Sequence, residues 1–325
     1  MNIAFLGCSK NANKAIQALK SIDDITLYAC SARDFERAKN FASKHNIMHA
    51  YSSYEEMLQD DKIDLVYIST LSSSHYKDTM LAMKHNKNCI VEKPLATNSN
   101  DVKKIFQYSE KHNIYVTEAL LGRFHPSKKV IKEILNSNII GDAYHIEANL
   151  SFPLTHIEHL NNLEMGGGVL LDLGVYPLNF ACMLFGYNIK KISALQVIDK
   201  SSRVDRSNFI NVVFDDNHTA SLNVSTEVLS KKEAIIYCKN GYIEVENFNN
   251  PTSVKIYRNM NERTSEIIKE LSVSGEVNGY EYEFIDAFKE LKMYQIESDN
   301  FTHYEIDKIY EIIDFINKNS LKVEN

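Results

Sequence analysis

The chain opens Asn2-Ile3-Ala4-Phe5-Leu6 and continues Gly7-Cys8-Ser9-Lys10-Asn11-Ala12. A short apolar run closed by glycine reads as a buried strand, and the residues after it take up a helical pattern. The same alternation runs down the first 118 residues. Strands are expected at 2–6, 25–30, 47–50, 65–69, 88–92 and 115–118, with helical segments such as 35–45 and 102–111 between them. In the first of those helices Phe35, Ala38, Phe41 and Ala42 recur near the helical period. Strands joined through crossover helices must pair in parallel, so an α/β, doubly wound parallel sheet is expected.

After residue 122 the pattern changes. A helix is expected at 126–136, a strand at 143–152, and a helix at 169–185 entered through Gly166-Gly167-Gly168. Alternating runs at 209–214, 220–225, 234–238, 242–245 and 254–257, with turn residues Asp215-Asp216-Asn217 and Asn240-Gly241, predict an open, largely antiparallel sheet. Helices at 280–293 and 303–318 close the chain. A length of 325 residues exceeds one core. The expectation is two domains, 1–121 and 122–325, with the last helix free to pack back on the first.

Composition narrows the function classes. Apolar residues at 44% and charged residues at 24% suit a large buried core. A net charge of −7, from 43 acidic against 36 basic side chains, offers no field to gather a phosphate backbone, so nucleic acid is not expected as a partner. The first residues read as a strand and not as a leader, and no run of ~20 apolar residues was read that would span a membrane. The five cysteines, Cys8, Cys30, Cys89, Cys182 and Cys238, have neither disulfide nor zinc spacing. They are expected as thiols in a reducing, cytoplasmic setting, with no metal bound. His156-Ile157-Glu158-His159 is one residue shorter than a zinc motif and is read as non-metal.

Ligands of a doubly wound sheet lie at the carboxyl ends of its strands. This chain places there Gly7-Cys8-Ser9, Ser31-Ala32-Arg33, Ser69-Thr70-Leu71, Glu92-Lys93-Pro94 and Glu118-Ala119. The first turn keeps only the first glycine of G-x-G-x-x-G/A, with Ala12 at the last place and Ser9 where the middle glycine would be. By itself it suits a plain connection as well as a phosphate cradle. Arg33 ends the second strand, where a guanidinium suits a 2′-phosphate better than it suits free ribose hydroxyls. Asp34 beside it is the alternative partner. Lys93, held extended before Pro94, points toward the crevice, where an ammonium can steady an alkoxide. Asp172 and Tyr176, four apart on an otherwise uncharged helix, share a face. Tyr176 suits a general acid if a cation lowers its phenol pKa. His75 opens the helix after the fourth strand, as a nicotinamide contact or a surface cap.

Glu92-Lys93-Pro94, the stretch Glu118-Ala119-Leu120-Leu121-Gly122-Arg123-Phe124-His125-Pro126 and the cluster from Gly166 to Pro177 together resemble the glucose-fructose oxidoreductase and inositol dehydrogenase (Gfo/Idh/MocA) family. The resemblance implies an N-terminal Rossmann domain, a C-terminal α+β domain whose open sheet forms a dimer interface, and NAD(P) as hydride carrier. It implies Lys93, Tyr176 and Asp172 as catalytic residues. Tyrosine at 176 is similar to the branch of dimeric dihydrodiol dehydrogenases and nucleotide-sugar 3-ketoreductases. The cofactor-binding set expected is Gly7, Cys8, Ser9, Asn11, Ala12, Ser31, Arg33, Thr70, Leu71, His75, Glu92, Lys93 and Arg123. Leu71 stands where the family usually has proline.

The function expected is NADP(H)-dependent hydride transfer, with NAD(H) as the alternative cofactor, reducing a keto sugar or keto nucleotide-sugar in a homodimer or homotetramer. The alternatives are oxidation of a sugar or trans-dihydrodiol, and a non-catalytic ligand-binding protein on the same scaffold.

Overall fold

The computed structural model describes residues 1–273 and 275–324. The chain divides into two compact units, Met1–Leu120 with Glu276–Asp307, and Leu121–Gly275 with Lys308–Asn325.

The first unit alternates β1 (Asn2–Leu6), α1 (Lys10–Leu19), β2 (Thr26–Ser31), α2 (Phe35–His45), β3 (His49–Tyr51), α3 (Tyr54–Leu58), β4 (Leu65–Ile68), α4 (His75–Lys84), β5 (Asn88–Glu92), α5 (Ser99–His112) and β6 (Val116–Ala119). The strands form one parallel sheet in the order β3-β2-β1-β4-β5-β6. Residues 3–6 of β1 and 65–68 of β4 are fully buried, as the central strands of a sheet covered on both faces must be. Between β1 and β4 the order reverses, and their carboxyl ends diverge into a crevice.

The second unit holds α6 (Leu121–Phe124), α7 (Ser127–Asn136), β7 (Ala143–Ser151), α8 (Val175–Phe185), β8 (Ile189–Ile198), β9 (Asp205–Phe214), β10 (Thr219–Ser225), β11 (Glu233–Cys238), β12 (Gly241–Glu246), β13 (Ser253–Asn259), β14 (Ser265–Ser272) and β15 (Leu321–Glu324). These strands make a nine-stranded sheet ordered β14-β13-β12-β11-β7-β10-β9-β8-β15. Only β7 with β10 and β8 with β15 run parallel; the other neighbours are antiparallel. On β9, Asn208, Ile210, Val212 and Phe214 are buried while the side chains between them are not. This period of two gives the sheet one core face and one open face.

Two helices complete the chain. α9 (Tyr280–Lys292) packs along α1 in the first unit. α10 (His303–Asn319) starts in that unit and continues in the second.

The sequence pattern missed β8, β14 and β15. It also read 169–185 as one regular helix, whereas Leu170–Gly174 form a π-helical turn ahead of α8. The run Leu163–Phe185, 23 residues long, does hold an 18-residue stretch of mean hydropathy 1.6, long and apolar enough by length and composition to cross a membrane, where the sequence reading finds none. That stretch is 67% buried inside the protein, as a core helix is.

Candidate active site

In the first unit three strand ends meet at Gly7. Its φ is +98°, and a β-carbon there would stand 2.9 Å from the Ser69 carbonyl oxygen. Its N–H donates to the Ser31 carbonyl at 2.9 Å. Only glycine leaves the backbone open at this point. Ser9, in place of the family's second glycine, is the N-cap of α1, its hydroxyl accepting from the Ala12 N–H at 3.0 Å. A hydroxyl accepts and donates at once, so this role is compatible with a hydrogen bond from Ser9 to an anion.

A cleft of about 900 Å³ lies over these strand ends. Of the expected cofactor set it is lined by Gly7, Cys8, Ser9, Arg33, Thr70 and Leu71. Arg33 is exposed on its wall. The Asp34 carboxylate caps α2, accepting from the N–H groups of Glu36 (2.8 Å) and Arg37 (3.2 Å). Arg37 lines the same cleft and donates to the Cys8 carbonyl at 2.7 Å. Sequence reading overlooked Arg37, which stands in the first turn of α2. It also named none of Ser52, Ser53, Tyr54 and Lys77 on the cleft wall. Two guanidinium groups, a glycine cradle and a cleft of this size fit a phosphorylated dinucleotide.

Of the rest of the expected set, Asn11 and Lys93 are partly exposed and the others are buried. Ser31 and Ala12 are fully buried, and the Ser31 hydroxyl donates to the Tyr51 carbonyl at 3.3 Å. Glu92 is buried and accepts from the Tyr67 hydroxyl. Burial pushes its carboxyl above the usual range, against the pull of Tyr67, Lys93, Lys14 and the Asn11 side chain. The Asn11 side chain hydrogen-bonds Glu92, and the next residue, Lys93, joins Pro94 through a cis peptide.

His75 is neither an exposed cap nor open to the cleft. It is 2% exposed, with Nδ1 2.7 Å from the Pro94 carbonyl and Nε2 3.2 Å from the Thr70 carbonyl. Burial lowers its pKa, so the ring is neutral and can donate to only one of those oxygens at a time. The closer contact, to Pro94, ties α4 to the loop that carries Lys93. The Thr70 hydroxyl donates to Asp78 at 2.6 Å.

In the second unit each glycine of 166–168 has its own reason. Gly166 ends a 3₁₀ turn at φ +78°. A β-carbon on Gly167 would come within 2.6–2.8 Å of the Leu160, Asn162 and His159 carbonyl oxygens. Gly168, at φ +120°, has its β-carbon position overlapped by Oδ1 of Asp205. The chain so compressed enters the π-turn with Asp172, then α8 with Tyr176. Both side chains are partly exposed, while Leu170, Leu173, Val175, Pro177 and Leu178 are buried. Arg123, expected at the cofactor, is 2% exposed in this unit and donates to the Tyr187 hydroxyl at 3.0 Å. His156, Glu158 and His159 are exposed, and no cluster of three metal-ligating side chains occurs among the described residues.

Comparison with known proteins agrees with this arrangement. Residues 1–119 match the model of the GFO/IDH/MocA oxidoreductase family, NAD-binding Rossmann fold, and residues 129–244 match the GFO/IDH/MocA C-terminal domain. A trans-1,2-dihydrobenzene-1,2-diol dehydrogenase of Xenopus laevis is 33% identical over 242 residues, covering 74% of this chain and 73% of its own. The dehydrogenase of the same name from Danio rerio is 32% identical, covering 67% of this chain and 65% of its own. The fold is shared with a 3-ketoreductase from Actinomadura kijaniata, solved with NADP and TDP-benzene, at TM-score 0.89 and 19% identity, covering 100% of this chain and 99% of that one. With both domains matched in order and a relative one-third identical across most of its length, the chain belongs to the Gfo/Idh/MocA family of NAD(P)-dependent oxidoreductases.

Proposed function

We propose that the protein transfers hydride between NADP(H) and a carbon of a cyclic, sugar-like substrate, in the leading case reducing a keto sugar or keto nucleotide-sugar. The observation that carries the cofactor half is the pair Arg33 and Arg37 on one wall of the cleft above Gly7. NADP(H), when bound, supplies or takes up the hydride. Gly7 leaves room for its pyrophosphate, Ser9 adds a hydroxyl, and the two guanidinium groups hold the 2′-phosphate through charge-assisted hydrogen bonds.

Ketone reduction also consumes a proton. Tyr176 donates it from its hydroxyl to the developing alkoxide, and Lys93 supplies a cation suited to steadying an oxyanion. Asp172 accepts from a substrate hydroxyl. Run in reverse, Tyr176 takes the alcohol proton as the hydride leaves. The dihydrodiol dehydrogenases among the relatives favour a second reading, oxidation of a trans-dihydrodiol or sugar with NADP⁺ by the same residues. We also place the protein in the cytoplasm as a homodimer or homotetramer. Its five free cysteines suit a reducing compartment. The open sheet face carries a ladder of rings, with Tyr242 stacked on Tyr257 at 4.4 Å and tilted against Tyr237 at 6.2 Å, which suits a self-complementary contact.

The test is a substrate panel: trans-1,2-dihydrobenzene-1,2-diol and free sugars with NADP⁺, and keto nucleotide-sugars with NADPH. On whichever substrate turns over, Tyr176→Phe should lower kcat by ~10²–10⁴-fold with NADPH binding unchanged. Wild-type turnover by that variant would remove Tyr176 from the acid role.

A further inference from the structure

We infer that Asp205 is a positioning residue for this reaction: from the start of β9 its carboxylate fixes the turn that presents Asp172 and Tyr176. The inference rests on the reading of Tyr176 as proton donor.

The π-turn 170–174 begins without a side-chain cap of its own, since Val169 offers no hydrogen-bonding side chain. Asp205 supplies that cap from 35 residues away, Oδ2 accepting from the Leu170 N–H at 2.8 Å. Its other oxygen occupies the space a β-carbon on Gly168 would need, so the third glycine and this carboxylate are matched to each other. Asp205 is itself oriented. Asn208 Nδ2 donates to the same Oδ2 at 2.5 Å, and Gln196 Nε2 donates to Asn208 Oδ1 at 2.8 Å. Gln196 Oε1 in turn accepts from the Ser320 hydroxyl at 2.6 Å. Asn208 and Gln196 stand directly opposite each other on β9 and β8 and are essentially unexposed.

A chain of hydrogen bonds through two buried amides thus runs from Ser320, just ahead of β15, to the first N–H of the turn. Beyond that N–H the polypeptide is stiff, with 173–175 and 177–178 buried. A change at the cap therefore moves the side chains two and six residues on, and an acid displaced by about 1 Å costs ~100-fold in rate. Polar hydrogens at a helix start favour a carboxylate over a neutral group.

The experiment compares wild type with Asp205→Ala, Asp205→Asn, Tyr176→Phe and Asp205→Ala/Tyr176→Phe. It measures kcat and KM on the panel substrate, NADPH affinity, and amide hydrogen exchange. The expected result is a ~10–100-fold loss of kcat for Asp205→Ala and less for Asp205→Asn, which keeps one acceptor and guards against misfolding. KM and NADPH affinity should stay within about twofold, with faster exchange confined to 169–176. The double variant should lose clearly less than the product of the two single losses, because Asp205 acts largely through that side chain.

Three results overturn the inference: an Asp205→Ala kcat within threefold of wild type, losses that multiply in the double variant, or a parallel loss of NADPH affinity and of exchange protection throughout. If Tyr176→Phe is fully active, it is the functional reading that fails. Exchange at 169–176 in Asp205→Ala then decides by itself whether the carboxylate holds the turn.

Discussion

At Gly167 three carbonyl oxygens occupy the shell where any larger residue would put its first carbon. They belong to backbone and cannot swing aside, so Gly167→Ala must move the 159–162 loop or the helix start. Overpacking of this kind costs about 1–3 kcal/mol. The melting temperature should fall by ~2–4 °C per kcal/mol, read in a thermal melt; an unshifted melt would show that the loop yields freely. Other residues differ in how far their role could be read in advance. The place of Arg33 on the cleft wall was legible because the end of a second strand opens onto the crevice of such a sheet. Arg37 was not, because Arg33 lies before the N-cap of α2 and no helical spacing links the two. Asp205 was not, because its partners lie across β8 and at the glycine turn, and neither contact leaves a local pattern.

Among the elements, α9 departs most from simple amphipathic packing. It buries Phe284 and Ala287 as a core helix should, yet also Glu283 and Glu290. Both Glu283 oxygens lack a hydrogen-bond partner among the described residues. Burial first, then the nearby carboxyls of Glu92, Glu118 and Glu281, push Glu283 well above the usual range. A group whose folded pKa is raised gives its full stability below its unfolded value of 4.5 and loses it as pH rises through the folded value. Glu283→Gln removes that proton linkage at nearly constant volume. It should raise the melting temperature at pH 7 by ~2–4 °C, with the advantage gone near pH 4.5. A variant less stable than wild type at pH 7 would show that Glu283 holds its charge with a compensating partner.

Legibility at this scale follows burial. β1 and β5 could be bounded to the residue because both are apolar runs between punctuating residues. β14 and β15 escaped because they are exposed edge strands with no alternation to see. The π-turn escaped because a hydrogen bond shifted by one residue leaves the apolar spacing unchanged.

For the molecule as a whole, the six-stranded parallel order followed from the strand–helix rhythm, since crossover connections leave few arrangements. The largely antiparallel second sheet followed from period-two alternation. What the rhythm did not carry is that 276–307 belongs to the first unit. Helix periodicity states which face is apolar and not which core receives it.

The account's central claim is NADP(H)-dependent hydride transfer with the 2′-phosphate held by Arg33 and Arg37. The measurement that meets it most directly is a side-by-side titration of NADPH and NADH by the cofactor's own fluorescence, a clean signal in a chain with no tryptophan, on wild type and Arg33→Ala. Two charge-assisted contacts predict NADPH binding at least ~10-fold tighter than NADH, and a ~10–100-fold loss for NADPH alone on removing Arg33. Equal affinities in wild type would contradict the phosphate clamp, and binding of neither cofactor would return the protein to the class of non-catalytic ligand binders.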